Sequence, residues 1–125
     1  MNVKNLFTIT AVVTVLFAIL FLLIPEQIST LYGTTANEAS IIHSRLLGAA
    51  MLGLGSILWL ARNSGPSDAR RAIINGGLVY IIVDFVVALW AVMLGGLNAL
   101  GWSTVVLLLL IGIGWIIVVR KGEEA

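Results

Sequence analysis

The sequence lacks most of the residues with which small soluble proteins cross-link themselves, bind metals and stay in water. It has no cysteine, one histidine and two prolines, and only 10% of its 125 residues are charged. The absence of cysteine excludes a disulfide framework, a thiol nucleophile and a thiolate metal site. Soluble domains carry about 25% charged residues, so an ordinary water-exposed surface is excluded. The net charge of +1, without a basic cluster, makes nucleic acid an unexpected partner.

Long apolar stretches take the place of the missing charges, and 60% of the residues are hydrophobic. A small domain has too little interior to absorb this much apolar surface, so lipid must surround most of the chain. About 20 apolar residues span a bilayer core. Pro25 ends the first run and suits the first position of a short helix. The pattern predicts one domain, residues 1–125, with an all-α fold. The predicted fold is a four-helix transmembrane bundle with spans at about 5–24, 36–62, 69–94 and 100–119 and a possible short interfacial helix at 26–32.

Local signals predict where these spans begin and how they are joined. Thr35 and Glu38 have the spacing of a capping box, which would start the second span near residue 36. Gly65-Pro66 ends the second helix, and Ser67 is a candidate N-cap for the third span. The link Gly95–Asn98 is short, so the third and fourth spans should be antiparallel neighbours.

Basic residues are distributed unevenly between the two sides of this bundle. Positive side chains in short loops are retained in the cytoplasm. We therefore predict a multi-pass protein of the cell (plasma) membrane with both termini cytoplasmic, in which a short acidic tail, Glu123 and Glu124, ends the chain. Six of the seven Lys and Arg residues fall on the predicted cytoplasmic side: Lys4, Arg62, Arg70, Arg71, Arg120 and Lys121.

Small residues mark the sides by which the helices are expected to contact one another. In lipid no hydrophobic effect drives helices together, and small side chains allow their backbones to approach closely. Ala49 and Gly53 form a small-xxx-small pair in the second span. The first span has a small, weakly polar stripe at Thr10, Ala11, Thr14 and Ala18. The candidate packing residues of the second, third and fourth spans are Gly48, Ala49, Gly53, Gly77, Ala88 and Gly112.

Asp84 is the most informative single residue, because it lies near the middle of the third apolar run on its small side. A charge at the bilayer centre costs about 3 kcal/mol on insertion scales. One interpretation is a proton or cation site or a ligand contact. The other is a structural ion pair or a protonated carboxyl hydrogen-bonded inside the bundle. Arg45 is the expected partner, and the alternative is that it extends outward to lipid headgroups. Tyr80 would complete a polar pocket with both, or pack with its hydroxyl satisfied by the carboxylate.

The remaining candidate ligand is His43, the only histidine. A lone histidine near a helix end is expected to be interfacial, although it is also the one candidate for a metal or haem ligand. No serine or histidine falls at a suggestive spacing from Asp84, as a catalytic pair would require. We therefore expect no cofactor, no metal and no enzymatic activity.

Three segments resemble a family of small uncharacterised bacterial four-span integral membrane proteins: PEQISTLYG, HSRLLGAAMLGLGSILWLAR and ARRAIINGGLVYIIVD. The resemblance implies a four-helix bundle and gives no activity. Small multidrug-resistance transporters also have four spans, but the first span here lacks their glutamate. The glycine-arginine and threonine-rich signatures of bacterial fluoride channels are missing too. The family pattern, carried onto this sequence, marks Pro25, Gly33, Arg45, Gly48 and Asp84.

Three functions are compatible with these patterns. The first is a non-enzymatic accessory or structural subunit of a larger membrane complex, because the chain has almost no mass outside the membrane. The second is a small oligomeric transporter or channel that uses Asp84. The third is a binder of lipid or of an apolar small molecule, with a polar pocket at Arg45, Tyr80 and Asp84. The expected partners are the lipid bilayer and other membrane subunits or further copies of the chain.

Overall fold

Residues 1–122 are described by the structure, a computed structural model, and they form five α-helices. The predicted acidic tail lies outside the described residues. Four of the helices, α1, α3, α4 and α5, are long and apolar enough to cross a membrane, which indicates a multi-pass membrane protein. The prediction of an all-α fold with four apolar spans is confirmed at this level. The helices are α1 (Val3–Leu23), α2 (Pro25–Leu31), α3 (Glu38–Ala61), α4 (Asp68–Met93) and α5 (Gly101–Lys121).

Side-chain caps set the starts of α3 and α4. Ser67 caps α4 as predicted, because its hydroxyl accepts a backbone N–H of the first turn at 3.1 Å. The prediction for the capping box of α3 is wrong, since Asn37 and Ser40 form the box in place of Thr35 and Glu38. Asn37 Oδ1 accepts from the Ser40 N–H at 2.9 Å, and Ser40 Oγ accepts from the Asn37 N–H at 2.9 Å. Asparagine is a better N-cap than threonine, and α3 accordingly starts later, at Glu38.

The long helices pack as two pairs, of which α1 and α3 form the first. Gly48, in the first half of α3, lies against Ala18 in the last part of α1. Gly55, further along α3, lies against Ala11, further back along α1. The two helices therefore run antiparallel, and a residue without a side chain allows close approach at both points.

The second pair consists of α4 and α5. Gly77, near the start of α4, lies against the ring of Trp115, near the end of α5. Val92, near the end of α4, lies against Gly101 at the start of α5. The short link after α4 thus joins antiparallel neighbours. By contrast, α3 and α4 follow each other in the chain but do not pack along each other over their described lengths.

The two pairs meet through α1 and α5, around Trp115. This side chain is fully buried, and its ring centroid lies 5.7 Å from that of Phe7. The indole Nε1–H donates a hydrogen bond of 3.1 Å to Thr10 Oγ1, which satisfies the one polar atom of the side chain. Leu6 and Leu58 are buried in the same cluster. These contacts, the Trp115 cluster, close the interior of the bundle at one end.

Beyond the Trp115 cluster lies the end of the bundle that carries most of the positive charge, which we name the basic end. α1 and α4 begin there, and α3 and α5 finish there. Arg62 folds back onto its own helix, with its guanidinium carbon 3.8 Å from the centroid of the Trp59 ring. The opposite end carries α2, and we name it the α2 end. The basic end comprises Lys4, Arg62, Arg70, Arg71, Arg120 and Lys121.

Candidate functional site

A cavity of about 290 Å³ occupies the interior of the bundle between the Trp115 cluster and the α2 end. Its volume is close to the lower limit of small-molecule sites, about 300 Å³. α1, α4 and α5 supply most of the wall, whereas α3 contributes Leu47 and Met51. We call this space the central cavity. Both helix pairs line it, since α1 and α3 contribute side chains from the first pair and α4 and α5 from the second.

The wall of the central cavity is mostly apolar, with a small number of polar side chains. Asp84 is its only charged residue among those that the structure describes, and Tyr80 lies one turn before it on α4. Both side chains are half-buried. At about 1.5 Å per residue, Asp84 is about 14 Å from the end of α4. Hydroxyl groups come from Thr10, Thr14, Ser29, Tyr32, Thr34 and Thr104.

Asp84 and Tyr80 are brought together by helix geometry alone. Residues four apart lie on the same face of a helix, and the Tyr80 and Asp84 side chains both line the central cavity from α4. Ile81, between them, is buried against α5, close to Gly112. The carboxyl is therefore turned toward the interior of the bundle, where it can accept hydrogen bonds or pair with a cation.

Arg45 is not part of this site, and the predicted pair with Asp84 is wrong. Its Nε–H donates to the backbone carbonyl of Leu22 at 3.4 Å. The last carbonyl groups of a helix have no partner in their own helix, and a cation near them is favourable. The prediction failed because α3 packs on α1, so the acceptor within reach of Arg45 is the end of α1. Within residues 1–122 the one ion pair joins Arg71 and Asp68, at 3.2 Å.

His43 lies on the exposed face of α3 and makes a local contact. Its Nδ1 lies 2.8 Å from the backbone carbonyl of Ala39 one turn earlier. In the part of the chain that the structure describes, no three His, Cys, Asp or Glu side chains are grouped to hold a metal ion. The residue is therefore placed away from the central cavity and from other ligand-type side chains.

The α2 end of the central cavity is covered by α2 and the loop after it. The hydroxyl groups of Tyr32 and Thr104 are 2.6 Å apart and share a hydrogen bond. Asn98 Nδ2 donates to the Leu31 carbonyl at 2.9 Å, and the Asn98 N–H donates to the Tyr32 carbonyl at 2.9 Å. Gly33, with a φ of +78°, turns the chain at this point and packs on Asn98. These contacts hold the cover, which we call the α2 cover, onto the link between α4 and α5.

Sequence reasoning missed several residues of the central cavity. Phe17 and Phe21 line it from α1, and Tyr32 and Thr104 line it from the α2 end. The two phenylalanines extend the small stripe of the first span at helical spacing, so this signal was present in the sequence. The contact of Tyr32 with Thr104 had no signal, because it joins residues that are remote in the chain.

The predicted packing residues divide into two groups. Gly48, Gly77 and Gly112 lie against other helices, and Ala88 packs at the edge of the core. The small-xxx-small pair is a correction: Ala49 and Gly53 are exposed, and nothing lies within 4 Å of a Cβ atom at Gly53. The one long helix that packs along α3 is α1, and the face of α3 that carries Gly48 and Gly55 contacts α1. The other small residues of α3 consequently face outward.

A family model described as "Domain of unknown function (DUF8292)" matches residues 1–119, which is nearly the whole chain. No curated protein and no solved structure matches the sequence.

Proposed function

The chain belongs to the DUF8292 family, and on that premise we propose that it binds an amphiphilic small molecule of the bilayer in its central cavity. The observation that carries this proposal is the cavity itself, about 290 Å³ of mostly apolar wall with one carboxyl and several hydroxyl groups. Small-molecule sites have this composition, since the apolar wall supplies affinity and the few polar groups fix orientation.

The separation of α3 from α4 supports entry from the lipid. These helices do not pack along each other, yet each lends side chains to the central cavity. Leu47 lines the cavity and is 48% exposed, and Asp84 is half-buried. An amphiphile can therefore enter between α3 and α4 with its tail still among acyl chains.

The closed ends of the cavity favour binding over conduction. The Trp115 cluster blocks the path to the basic end, and the α2 cover lies across the other end. A channel that uses Asp84 needs a polar path open to both sides, and a transporter needs one open to at least one side at a time. The accessory-subunit and transporter hypotheses stay proposals, and the pocket geometry favours the binder.

We also propose the cell (plasma) membrane as the location, with both termini cytoplasmic. The support is the clustering of six basic residues at one end of the bundle, because positive loops are retained in the cytoplasm. In this orientation the α2 cover faces the outside of the cell.

A matched pair of substitutions on α5 tests the binding site. Leu107 lines the central cavity, whereas Leu110 is 62% exposed on the lipid-facing side. We expect Leu107→Phe to fill the cavity and Leu110→Phe to leave it open. After gentle purification in a mild detergent, mass spectrometry should find the same small amphiphile with the wild-type protein and with Leu110→Phe. Leu107→Phe should lose most of it. Equal retention by both variants, or no retained molecule at all, would contradict the proposal.

A further inference from the structure

We propose that the central cavity recognises a cationic head group, an aliphatic amine or quaternary ammonium, on the amphiphile that it binds. This inference rests on the proposed function and specifies the chemical class of its ligand. Three features of the cavity carry it: an acidic side chain without a basic partner, a set of aromatic rings, and an opening for an apolar tail.

The charge that lines the cavity is of one sign, negative. Among the residues that the structure describes, Asp84 is the only acidic one that lines the cavity, and none that line it is basic. Arg45 donates to the end of α1, and Arg71 pairs with Asp68 at the basic end. The other cations of the described chain also lie at that end, beyond the Trp115 cluster. A positive head group would therefore supply the charge that the protein does not place beside Asp84.

Aromatic rings line the same space and favour the same ligand. Phe17 and Phe21 stand on successive turns of α1 with their ring centroids 6.4 Å apart, and Tyr80 and Tyr32 line the cavity with them. The face of an aromatic ring attracts a cation, and quaternary ammonium groups are typically recognised by several such rings. A carboxyl beside aromatic rings offers nothing to an anionic head, because no lining side chain within residues 1–122 is a cation.

The tail of the ligand follows from the shape of the cavity. The apolar part of the wall includes large side chains such as Leu47, Met51 and Leu107. Since α3 and α4 do not pack along each other, a chain longer than the cavity can extend between them into lipid. The arrangement fits a single-chain amphiphile whose head lies inside the protein.

Four single-chain compounds, with alkyl tails of nine or ten carbons and different heads, test this assignment. Decyltrimethylammonium and decylammonium are cationic, decanol is neutral, and decanoate is anionic. Their binding to the full chain in a neutral detergent is measured at neutral pH by native mass spectrometry and by the shift of the thermal unfolding midpoint. We expect the cations to bind about tenfold more tightly than decanol, and decanoate to bind most weakly.

Substitution of Asp84 is the second part of the experiment. Asp84→Asn should lower the affinity for both cations about tenfold and leave decanol unchanged. Asp68→Asn, on the same helix but at the basic end, removes the same charge and should change neither. Phe17→Leu should weaken decyltrimethylammonium more than decanol. If Asp84→Asn does not fold, the ranking of the four heads on the wild-type protein decides.

The outcomes separate this inference from the proposed function. Decanol binding as tightly as the cations, with both sensitive to Leu107→Phe, would overturn the cationic head and keep the binding site. If none of the four compounds binds, or if Leu107→Phe does not change their affinity, both the proposed function and this inference are contradicted. Preference for the cations that is lost in Asp84→Asn and kept in Asp68→Asn would establish both.

Discussion

At the scale of single residues, Gly77 decides how closely α4 approaches α5. A Cβ atom at this position would overlap the six-membered ring of Trp115. That ring is fully buried and fixed by its hydrogen bond to Thr10, so it has little freedom to move away. Gly76, the preceding residue, is exposed and has nothing within 4 Å. The two neighbouring glycines therefore have different roles.

We predict opposite effects for alanine at these two positions. Gly77→Ala should lower the free energy of unfolding by about 1–3 kcal/mol, because the methyl group overpacks the contact with Trp115. Gly76→Ala should leave it unchanged or raise it by up to about 1 kcal/mol, since alanine is the better helix former. Titration of the protein from mild detergent into dodecyl sulfate, followed by tryptophan fluorescence, measures both. Equal stability of the two variants would show that the ring contact does not limit packing.

The sequence allowed part of this residue-level picture to be predicted. The small side of the third apolar run, with Gly77 and Asp84 on it, follows from helical periodicity because that property is local. The partners of these residues do not follow, because they depend on which helices become neighbours. The Arg45 prediction failed for this reason, since it assumed that spans consecutive in the chain are adjacent in the bundle.

At the scale of secondary-structure elements, α2 depends most on the rest of the molecule. It has only seven residues, and isolated helices of this length are not stable in water. Pro25 begins it, and its end is held by the Tyr32–Thr104 and Asn98–Leu31 hydrogen bonds. The α2 cover is therefore stabilised by tertiary contacts.

Removal of the Asn98 side chain should loosen this cover. Asn98→Ala deletes the hydrogen bond to the Leu31 carbonyl and should cost the local structure about 1 kcal/mol. Hydrogen–deuterium exchange in residues 25–34 should then be about fivefold faster. Exchange in the later turns of α5 should stay as in the wild-type protein, because they lie beyond Leu100, whose N–H also donates to Asn98 Oδ1. Asn63→Ala, at an exposed position near the basic end, is the matched control. Unchanged exchange in Asn98→Ala would mean that the Tyr32–Thr104 hydrogen bond and the backbone contacts hold the cover without the Asn98 side chain.

The elements themselves were easier to predict than their arrangement. Runs of apolar residues and the breaks at Pro25 and Gly65-Pro66 locate five helices, because each signal is contained in a short stretch of chain. The capping box of α3 was misplaced because two overlapping sets of capping residues precede that helix. The pairing of α1 with α3 comes from glycine contacts that hydropathy does not encode.

At the scale of the whole molecule, charge distinguishes the two ends of the bundle. The basic end holds six of the seven Lys and Arg residues. Glu26 and Glu38 lie at the α2 end, together with Arg45. This polarity is the basis of the proposed orientation in the membrane.

The absence of cysteine permits a direct test of that orientation with single engineered thiols. Gly65→Cys lies in the loop at the basic end, and Thr35→Cys lies in the loop at the α2 end; both positions are exposed. We expect a membrane-impermeant maleimide to label Thr35→Cys in intact cells, and to label Gly65→Cys only after the membrane is opened. Labelling of Gly65→Cys in intact cells would reverse the proposed topology.

The position of the central cavity between two helical hairpins has a consequence for biosynthesis. The first hairpin can form as soon as the ribosome has delivered α3, but the second has to wait for α5. The cavity therefore does not exist until the last span is inserted and the hairpins dock. A ligand can therefore bind only after that final step, and it would then exchange with the surrounding lipid between α3 and α4.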